Sequence, residues 1–342
     1  MLNLTQVSLN IFFGGEMIVF LSSYPTDENV RDGMMQRVAA IDLLAKKQPR
    51  VYLDISFKKN LRRATRSEEN CKIEYLNFFL HFFIILHYLK IAKKIYSHSV
   101  INLFKVHFFY KPSKTILDIH GVVPEELEFL NKHIMSTLLS YVEKKAILNC
   151  QKLIHVTDAM LQHYEIKYNC DLTTRSLVLP IFESESVNYN YAKWNDDVLR
   201  VVYAGGMQAW QNIDMMVDSV ANLNTKNPEN KMHFNFFFPK SQVTIFNEKY
   251  PNLSLMHNVS VSSLPKDEIL TFLTQCHFGF VLRDDILVNK VACPTKLIEY
   301  LECGVIPVIK SPYIGDFHQL GYKFMSFAEL ITKANDRDLL FN

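Results

Sequence analysis

The segment Cys276–Ile309 constrains the fold of this chain more than any other stretch. It begins with an apolar run of strand length, continues through a polar loop, and then shows a short helical pattern. Pro294 suits the first turn of that helix because its missing N–H would be unpaired there, and Gly304 suits the left-handed position that ends it. Cys293, the predicted N-cap, caps poorly, so the first helical N–H groups stay free where the helix dipole favours an anion. The segment therefore predicts a strand, an anion-binding helix and a second strand at Val305–Ile309.

Two charged residues share one face of this helix. Lys296 and Glu299 lie three positions apart, so both side chains can reach one ligand. The pattern favours a phosphate at the helix tip beside Lys296, with Glu299 directed to hydroxyl groups one turn further on. The alternatives are an exposed carboxylate at Glu299 and a surface ion pair between the two side chains.

Apolar runs of strand length alternate with helical patterns from Met17 onward, as in an α/β layered fold. The predicted strands are Ile18–Ser22, Val51–Ile55, Lys114–Ile119, Lys152–Val156, Leu177–Pro180, Leu199–Ala204, His233–Phe238 and a short strand at Ser254–Met256. The predicted helices are Met34–Leu44, Tyr75–Ile91, Glu125–Asn149, Gln211–Leu223, Lys266–Gln275 and the tail Ser326–Leu340.

The length of 342 residues is enough for about two domains, and a polar stretch without periodicity at residues 182–198 predicts the linker between them. The predicted fold is α/β, with two Rossmann-like doubly wound domains facing a central cleft, where ligands bind beyond the carboxyl ends of the strands. The domains are residues 1–181 and 199–325, and residues 326–342 form a helical tail that packs back on the N-terminal domain. Residues 1–16 are expected to be disordered or an upstream mis-start.

Charge and composition exclude several classes of protein. The net charge is +2, and the small basic excess in residues 1–180 is too weak to predict nucleic-acid binding. The six cysteines show neither CxxC pairs nor metal-ligand spacing, which is typical of proteins in a reducing cytoplasm. Residues 1–15 lack a positive n-region, so we expect no secretory signal.

Two segments predict an association with the surface of a membrane. The basic segment Lys58–Arg66 suits an anionic membrane or a lipid diphosphate. Tyr75–Ile91 is the most apolar run, but it is too short to span a bilayer. We interpret it as a buried helix, and a helix lying on the cytoplasmic face of the inner membrane is the alternative.

Five motifs occur in an ordered set: SSYP at Ser22–Pro25, DGMMQR at Asp32–Arg37, DIHG at Asp118–Gly121, GGMQAWQNID at Gly205–Asp214, and RDDILVNKVACPTKLIEYLECGVIPVI at Arg283–Ile309. The set resembles the retaining glycosyltransferases of family 4, which have the GT-B fold, and most closely the members that build bacterial surface polysaccharides such as O-antigen and capsule. The resemblance runs from Met17 to the C-terminus. It implies transfer of a sugar from a nucleotide sugar to a glycan or polyprenyl-diphosphate-linked acceptor, with retention and with no obligate metal or cofactor.

The resemblance places the nucleotide sugar on the C-terminal domain. By position, Glu299 is similar to the glutamate that takes the ribose hydroxyls. Pro294, Thr295 and Lys296 lie where the pyrophosphate meets the helix tip.

Two further features are assigned to the leaving diphosphate. Gly205 and Gly206 follow a strand, so that bare backbone can approach the diphosphate. Arg283 also follows a strand and suits the leaving phosphate, although a salt bridge to Asp284 or Asp285 is the alternative.

The remaining assignments concern the N-terminal domain. His120 in the DIHG motif is placed against the transferred sugar, where it holds a hydroxyl or stabilises developing charge. Asp32, Gly33 and Arg37 resemble the loop that borders donor and acceptor. An N-cap is the alternative for Asp32.

One departure from the family pattern concerns the sugar. The family often has a glutamate that contacts the donor sugar eight positions before the one matched by Glu299, and this chain has Val291 there. Recognition of the sugar is therefore expected from Asp285, Asn289 or main-chain groups.

A second departure concerns the phosphates. The usual arginine and lysine after the first strand of the C-terminal domain are replaced by Trp210, Gln211 and Asn212. Arg283 and Lys296 are therefore expected to neutralise more of the phosphate charge.

Two other classes of function remain as alternatives: a non-catalytic subunit that supports a partner transferase, and a sugar-nucleotide epimerase of the same fold. Asp336–Asp338 is a literal DxD, the metal-holding pattern of a different glycosyltransferase fold. It lies in the tail and not after a core strand, so it is interpreted as surface.

Overall fold

A computed structural model describes residues 17–26, 29–30, 33–180, 190–226 and 231–333. Asp32, the residues before Met17, the first part of the predicted linker and the Asp336–Asp338 motif lie outside the described residues. The chain divides into two compact units, of which the first comprises residues 1–181 with 291–293 and the second residues 182–290 with 294–342.

The first unit is built on one sheet with helices in the connections. Its strands are β1 (Ile18–Leu21), β2 (Arg50–Ser56), β3 (Ala64–Glu68), β4 (Cys71–Asn77), β5 (Lys94–His98), β6 (Thr115–Ile119), β7 (Lys152–His155) and β8 (Ser176–Val178). Its helices are α1 (Gly33–Ala45), α2 (Phe82–Ile91), α3 (Val100–Phe104), α4 (Val123–Phe129), α5 (His133–Asn149) and α6 (Asp158–Tyr168). The strand order is β3-β4-β2-β1-β5-β6-β7-β8, parallel except for the β3–β4 pair.

The second unit has the same kind of layering. Its strands are β9 (Leu199–Ala204), β10 (Met232–Phe237), β11 (Val259–Ser262), β12 (Phe278–Val281), β13 (Ile306–Ile309) and β14 (Met325–Ser326). Its helices are α7 (Ile213–Lys226), α8 (Lys240–Lys249), α9 (Pro251–Ser254), α10 (Lys266–Leu273), α11 (Leu287–Lys290), α12 (Thr295–Glu302) and α13 (Phe327–Lys333). The strands are all parallel, in the order β11-β10-β9-β12-β13-β14.

Burial explains why the central strands form. β1 and β12 are buried along their whole length, as expected for parallel strands that are covered on both faces. Each sheet contributes apolar residues to a core on both of its sides, for example Phe234 and Phe236 on one face of β10 and Phe237 on the other. The loops after β6 and β12 carry His120, Arg283 and Asp285, three of the polar residues singled out above.

The apolar run Tyr75–Ile91 is not one buried helix, as the sequence predicted. Its first residues complete β4, and α2 begins only at Phe82. The apolar content alone could not separate a buried strand from a buried helix. Phe83 is 83% exposed, so part of the run lies on the surface of the unit.

Three other assignments also differ from the sequence prediction. The long helical pattern Glu125–Asn149 is interrupted between Phe129 and His133, where Asn131 adopts a left-handed conformation. The short strand predicted at Ser254–Met256 is wrong, since Pro251–Ser254 is helical and the strand follows at β11. Pattern reasoning also missed β5.

The described part of the predicted linker is integrated into the second unit. Lys193 is buried, and its ammonium donates to the carbonyl oxygens of Cys303 and Gly304 at the end of α12. A cation suits this position because carbonyl groups at a helix C-terminus carry negative partial charge. The described turns of the tail likewise pack in the second unit, where Leu330 joins the core. Among the described residues, no helix is long and apolar enough to cross a membrane.

Candidate functional site

The N-terminus of α12 is formed by Pro294. The proline has φ −73° and ψ 116°, no side chain caps the helix, and its carbonyl oxygen accepts from the N–H of Leu297. The prediction of Cys293 as the N-cap is therefore wrong by one residue, and Thr295 is the first helical residue. Gly304 ends the segment with φ +64°, which confirms the predicted left-handed stop. The uncapped first turn leaves N–H groups available to a ligand.

Lys296 lies in the first turn of α12 with its side chain turned into the second unit. Its ammonium donates to the Gln211 side-chain oxygen at 2.9 Å and lies 4.1 Å from the centre of the Tyr203 ring. Only 8% of the residue is exposed, so the predicted alternative of a surface ion pair with Glu299 does not apply. Lys296 is a buried cation held by one neutral hydrogen-bond acceptor and one aromatic face.

The loop after β9 leaves room for this ammonium because it starts with two glycines. A Cβ on Gly205 would lie 2.7 Å from the Lys296 nitrogen, and Gly205 has φ +155°, which L side chains rarely adopt. The neighbouring carbonyl oxygen of Gly206 accepts a 2.6 Å hydrogen bond from the Tyr203 hydroxyl. Tyr203 therefore fixes the loop and the lysine together, a role that pattern reasoning missed because the residue reads as an ordinary strand aromatic.

Arg283 follows β12 and supplies a second buried positive charge. The residue is 7% exposed, and its main-chain N–H donates to the carbonyl oxygen of Val281 at 2.9 Å. Burial lowers the pKa of Lys296 well below its usual value, and the positive charge of Arg283 lowers it further, while Glu299 acts in the opposite direction. Two mutually repelling cations in a low-dielectric environment form a site prepared for an anion.

The loop that carries Arg283 is fixed by amide side chains. Asn212 donates to the carbonyl oxygen of Leu282 at 2.7 Å and to the Asp284 carboxylate at 2.8 Å. Asn289 is fully buried, and its amide donates to the Asp284 carbonyl oxygen at 2.9 Å. Among the described residues the Asn289 side-chain oxygen has no hydrogen-bond partner. Such an acceptor is available to a ligand hydroxyl.

The two aspartates of this loop are paired with lysines. Asp284 forms an ion pair with Lys310, and Asp285, which is exposed, lies 3.0 Å from Lys290. Burial raises the pKa of Asp284, but the hydrogen bonds from Lys310 and Asn212 outweigh that effect and lower it.

Glu299 lies one turn after Lys296 on α12. Burial raises the pKa of its carboxyl group, and Lys266 and Lys296 offset part of that increase. Glu299 is half-buried, and among the described residues no side chain or main-chain group donates a hydrogen bond to its carboxylate. A ligand hydroxyl would satisfy it.

In the first unit, His120 follows β6 and lies near a buried carboxylate. Asp118 is fully buried and accepts from the Arg37 guanidinium at 2.9 and 3.0 Å and from the Tyr96 hydroxyl at 3.0 Å. Burial would raise the pKa of Asp118, but Arg37 and His98 hold it far below its usual range. The Asp118 carboxylate is therefore ionised, and its oxygens accept hydrogen bonds from other residues of the first unit.

His98 is a neighbour of this network that sequence reasoning missed. Its ring nitrogen lies 3.3 Å from Asp118, and its ring is nearly parallel to that of His120, with centroids 6.5 Å apart. Burial lowers the pKa of His98, so a neutral imidazole is favoured. The next residue, Ser99, has φ +76°, a strained conformation of the kind that is concentrated at functional sites.

The residues predicted to border the acceptor differ in their burial and contacts. Arg37 is 1% exposed, and its guanidinium donates to Asp118 and to the carbonyl oxygen of Leu179. Gly33 begins α1 in open space, since a Cβ there would meet nothing within 4 Å. The donors of Arg37 are thus used inside the first unit, where the residue fixes Asp118.

No family model and no curated protein matches the sequence. Among solved structures, HepE from Anabaena in complex with UDP-glucose matches with a TM-score of 0.63 at 12% identity, over 96% of this chain and 90% of that chain. Sucrose-phosphate synthase from Thermosynechococcus elongatus matches with a TM-score of 0.61 at 12% identity, over 95% and 91%. A UDP-forming α,α-trehalose-phosphate synthase from Burkholderia vietnamiensis matches with a TM-score of 0.56 at 10% identity, over 95% and 90%.

These similarities define the class of fold. The chain is an α/β protein of the GT-B fold, with two Rossmann-like domains that each carry a parallel sheet. The sequence prediction of this fold is confirmed.

The buried ion pair in the first unit generates a testable prediction. Replacement of Arg37 by leucine leaves Asp118 as a buried charge without its main partner, and we expect it to lower the free energy of unfolding by about 3–5 kcal/mol. The double variant Arg37→Leu/Asp118→Leu should lose less than the sum of the two single variants. Urea unfolding measures both, with the exposed Arg62→Leu as the control. Additive losses would contradict the coupling.

The same pair predicts how stability depends on pH. Because the folded-state pKa of Asp118 lies below its ordinary value of 3.8, its contribution is present above that pH and is lost as the pH falls below it. The Arg37→Leu variant should show a smaller loss over that acid range.

Proposed function

We propose that this protein is a glycosyltransferase that moves a sugar from a nucleotide-sugar donor to a glycan or lipid-linked acceptor with retention of configuration. The solved structures of the same fold include proteins bound to UDP-glucose and a UDP-forming synthase. At this low sequence identity, the structural similarity supports the fold alone. The proposed function is supported by the chemistry of the residues in the second unit. A role in surface polysaccharide synthesis of the family 4 type follows from the motif resemblance.

The observation that carries the proposal is the pair of buried basic residues formed by Lys296, in the first turn of α12, and Arg283, which follows β12. Lys296 and Arg283 repel each other in the absence of a ligand, and the uncapped helix end adds further positive potential. A diphosphate would neutralise both cations and accept the free N–H groups at the same time. In a sugar transfer the leaving diphosphate gains negative charge as the glycosidic bond breaks, so these groups stabilise the transition state more than the ground state.

The other residues are assigned by what they offer to a ligand. Glu299 accepts hydrogen bonds from the ribose hydroxyls, and the Asn289 side-chain oxygen accepts one from the sugar or the nucleotide. Gly205 and Gly206 let the backbone approach the diphosphate, and Pro294 and Thr295 place the helix tip. Asp285 is exposed and forms a candidate contact to the donor sugar.

In the first unit we assign His120 to the transferred sugar and Arg37 to a positioning role. Arg37 holds the ionised Asp118 carboxylate close to the ring of His120. His120 can then donate a hydrogen bond to a sugar hydroxyl. Gly33 and Asp32 are proposed to border the acceptor. No step of this scheme requires a metal.

A screen of donors tests the function directly. UDP, GDP, TDP and CMP sugars are compared by thermal shift, and a bound donor at about 100 times its dissociation constant should add about 2.7 kcal/mol of stability. The same donor is then incubated with the protein to detect hydrolysis or transfer. Failure of every donor to stabilise the protein would refute the proposal. Binding without turnover would favour a non-catalytic subunit, and conversion of the free donor without acceptor would favour an epimerase.

The role of Glu299 gives a sharper prediction. Replacement of Glu299 by alanine removes a charged acceptor, so nucleotide affinity should fall by an amount equivalent to about 1–3 kcal/mol, roughly 5- to 150-fold. Isothermal titration calorimetry with the nucleoside diphosphate identified in the screen measures this change. Glu268→Ala, at an exposed carboxylate of the same unit, is the control. Unchanged affinity in the Glu299 variant would contradict the proposal that Glu299 binds the ribose hydroxyls.

The lowered pKa of Lys296 predicts that binding of the nucleotide diphosphate is linked to protonation of this side chain. Its pKa is lowered in the free protein, and a bound diphosphate should raise it, so the protein takes up a proton on binding. Affinity should therefore fall as the pH rises through the range between the free and bound pKa values. Titration in buffers of different ionisation enthalpy, at about pH 8–9 where the terminal phosphate is already deprotonated, measures the uptake.

Matched lysine variants complete this experiment. Lys296→Met should abolish the proton uptake and weaken binding, whereas Lys323→Met, at an exposed lysine, should leave both unchanged. Proton uptake that persists in the Lys296 variant would assign it to another group.

A further inference from the structure

A continuous aromatic surface covers one edge of the first unit. It consists of eight phenylalanines and one histidine whose rings touch in an unbroken series: Phe79, Phe78, Phe57, Phe104, His107, Phe108, Phe109, Phe82 and Phe83. Successive ring centroids lie 3.7–6.4 Å apart along this series. We call this set the aromatic surface.

Several of these rings are directed to solvent. Phe79, Phe83 and Phe108 are 69%, 83% and 76% exposed. Leu61 and Leu80, each 64% exposed, lie in the same two loops as Phe57 and Phe79. Single exposed apolar residues are normal on a protein surface, but a contiguous apolar patch marks an interaction site.

Polar contacts fix the loops that present the aromatic surface. Asn77, the buried last residue of β4, donates to the carbonyl oxygens of Phe57 and Lys59 and accepts from the N–H groups of Phe79 and Leu80. One side chain thus joins both loops.

The neighbouring strand holds the other loop in the same way. The hydroxyl of Ser56, the last residue of β2, accepts from the N–H groups of Lys58 and Lys59. The exposed rings are therefore held in place by a specific arrangement before any partner arrives.

Basic residues border the aromatic surface. Lys58, Lys59 and Arg62 are exposed, and among the described residues no carboxylate lies within ion-pair distance of them. Arg63, in contrast, is paired with Glu74. The edge thus combines apolar rings with three cations that no carboxylate of the described residues neutralises.

The position of the aromatic surface within the sheet relates it to the candidate site. Phe57 follows the carboxyl end of β2, Phe78 follows that of β4, and His120 follows that of β6. In the strand order β4-β2-β1-β5-β6, β2 and β6 are three strand spacings apart, about 14 Å. The rings and His120 therefore lie on the same edge of one sheet.

We propose that the aromatic surface docks on a lipid bilayer that contains anionic phospholipids. The phenylalanine rings enter the boundary between headgroups and acyl chains, while Lys58, Lys59 and Arg62 contact the phosphates. Unpaired cations beside apolar rings match an anionic bilayer better than an apolar protein partner, because burial against protein would leave those charges without counter-charges. Docking in this orientation brings a lipid-linked acceptor to the edge that carries His120.

Vesicle binding by the full-length protein tests the proposal. Co-sedimentation with vesicles of phosphatidylcholine and phosphatidylglycerol should show binding that weakens in pure phosphatidylcholine and at high salt. Phe79→Ser/Phe83→Ser should lower the partition coefficient by at least about tenfold. Lys58→Glu/Lys59→Glu should lower it on the anionic vesicles only.

Matched controls separate the aromatic surface from general effects. Ile166→Ser/Leu255→Ser removes two side chains that are 81% and 84% exposed elsewhere, and Lys144→Glu/Lys145→Glu reverses two exposed lysines of α5. Both control variants should bind vesicles like the unmodified protein. The variant Phe83→Trp adds a direct readout, since its fluorescence should shift to the blue on anionic vesicles.

Three results would overturn the proposal. The first is no binding to anionic vesicles, and the second is equal losses in the patch variants and the controls. The third is a change of oligomeric state in Phe79→Ser/Phe83→Ser with vesicle binding retained, which would identify a protein interface. Vesicle binding needs neither donor nor acceptor, so its failure is distinguishable from failure of the proposed transferase function.

Discussion

The buried ammonium of Lys296 is the constraint around which the second unit arranges its polar residues. The ammonium needs space, an acceptor and an electron-rich surface, and it receives these from Gly205, Gln211 and Tyr203. Tyr203 belongs to β9 and Gly205 follows it directly, so the sheet itself positions two of these three groups. The positive charge of Arg283 lowers the pKa of Lys296 further, as expected of a site that binds an anion.

The two units treat buried charge in opposite ways. In the first unit Arg37 and Asp118 neutralise each other, the Tyr96 hydroxyl donates to the same carboxylate, and a ring nitrogen of His98 lies 3.3 Å from it. In the second unit the positive charge of Arg283 lowers the pKa of Lys296, and the half-buried carboxylate of Glu299 lacks hydrogen-bond donors among the described residues. A satisfied network gives a rigid scaffold, whereas an unsatisfied one retains binding energy for a ligand. The contrast explains why the two sets of residues are expected to respond differently to substitution, the first in stability and the second in affinity.

Much of the fold could be predicted from the sequence, since the strands are apolar runs bounded by loop residues. β9 was predicted residue for residue, and β1, β2, β6 and β7 within one residue at each end. The prediction of secondary structure failed where a buried strand and a buried helix have the same apolar content. The run from Tyr75 to Ile91 is such a case, since it is part strand and part helix. Motif reasoning singled out Lys296, Glu299 and Arg283 because their spacing around a helix start has a chemical meaning. Tyr203 and His98 were missed because an aromatic residue or a histidine within a strand carries no such signal.

The sequence by itself determined most of the alternation of strands and helices, the start of α12 to within one residue and its stop at Gly304, because these depend on local backbone preferences. Only the tertiary structure decided that Lys296 turns inward, that Arg37 pairs with Asp118 across 81 positions of the chain, and that nine rings from three separate segments of the chain form one surface. Such pairings depend on which strand ends lie side by side. Strand order in a parallel sheet is set by the packing of the whole unit and not by any local stretch of sequence.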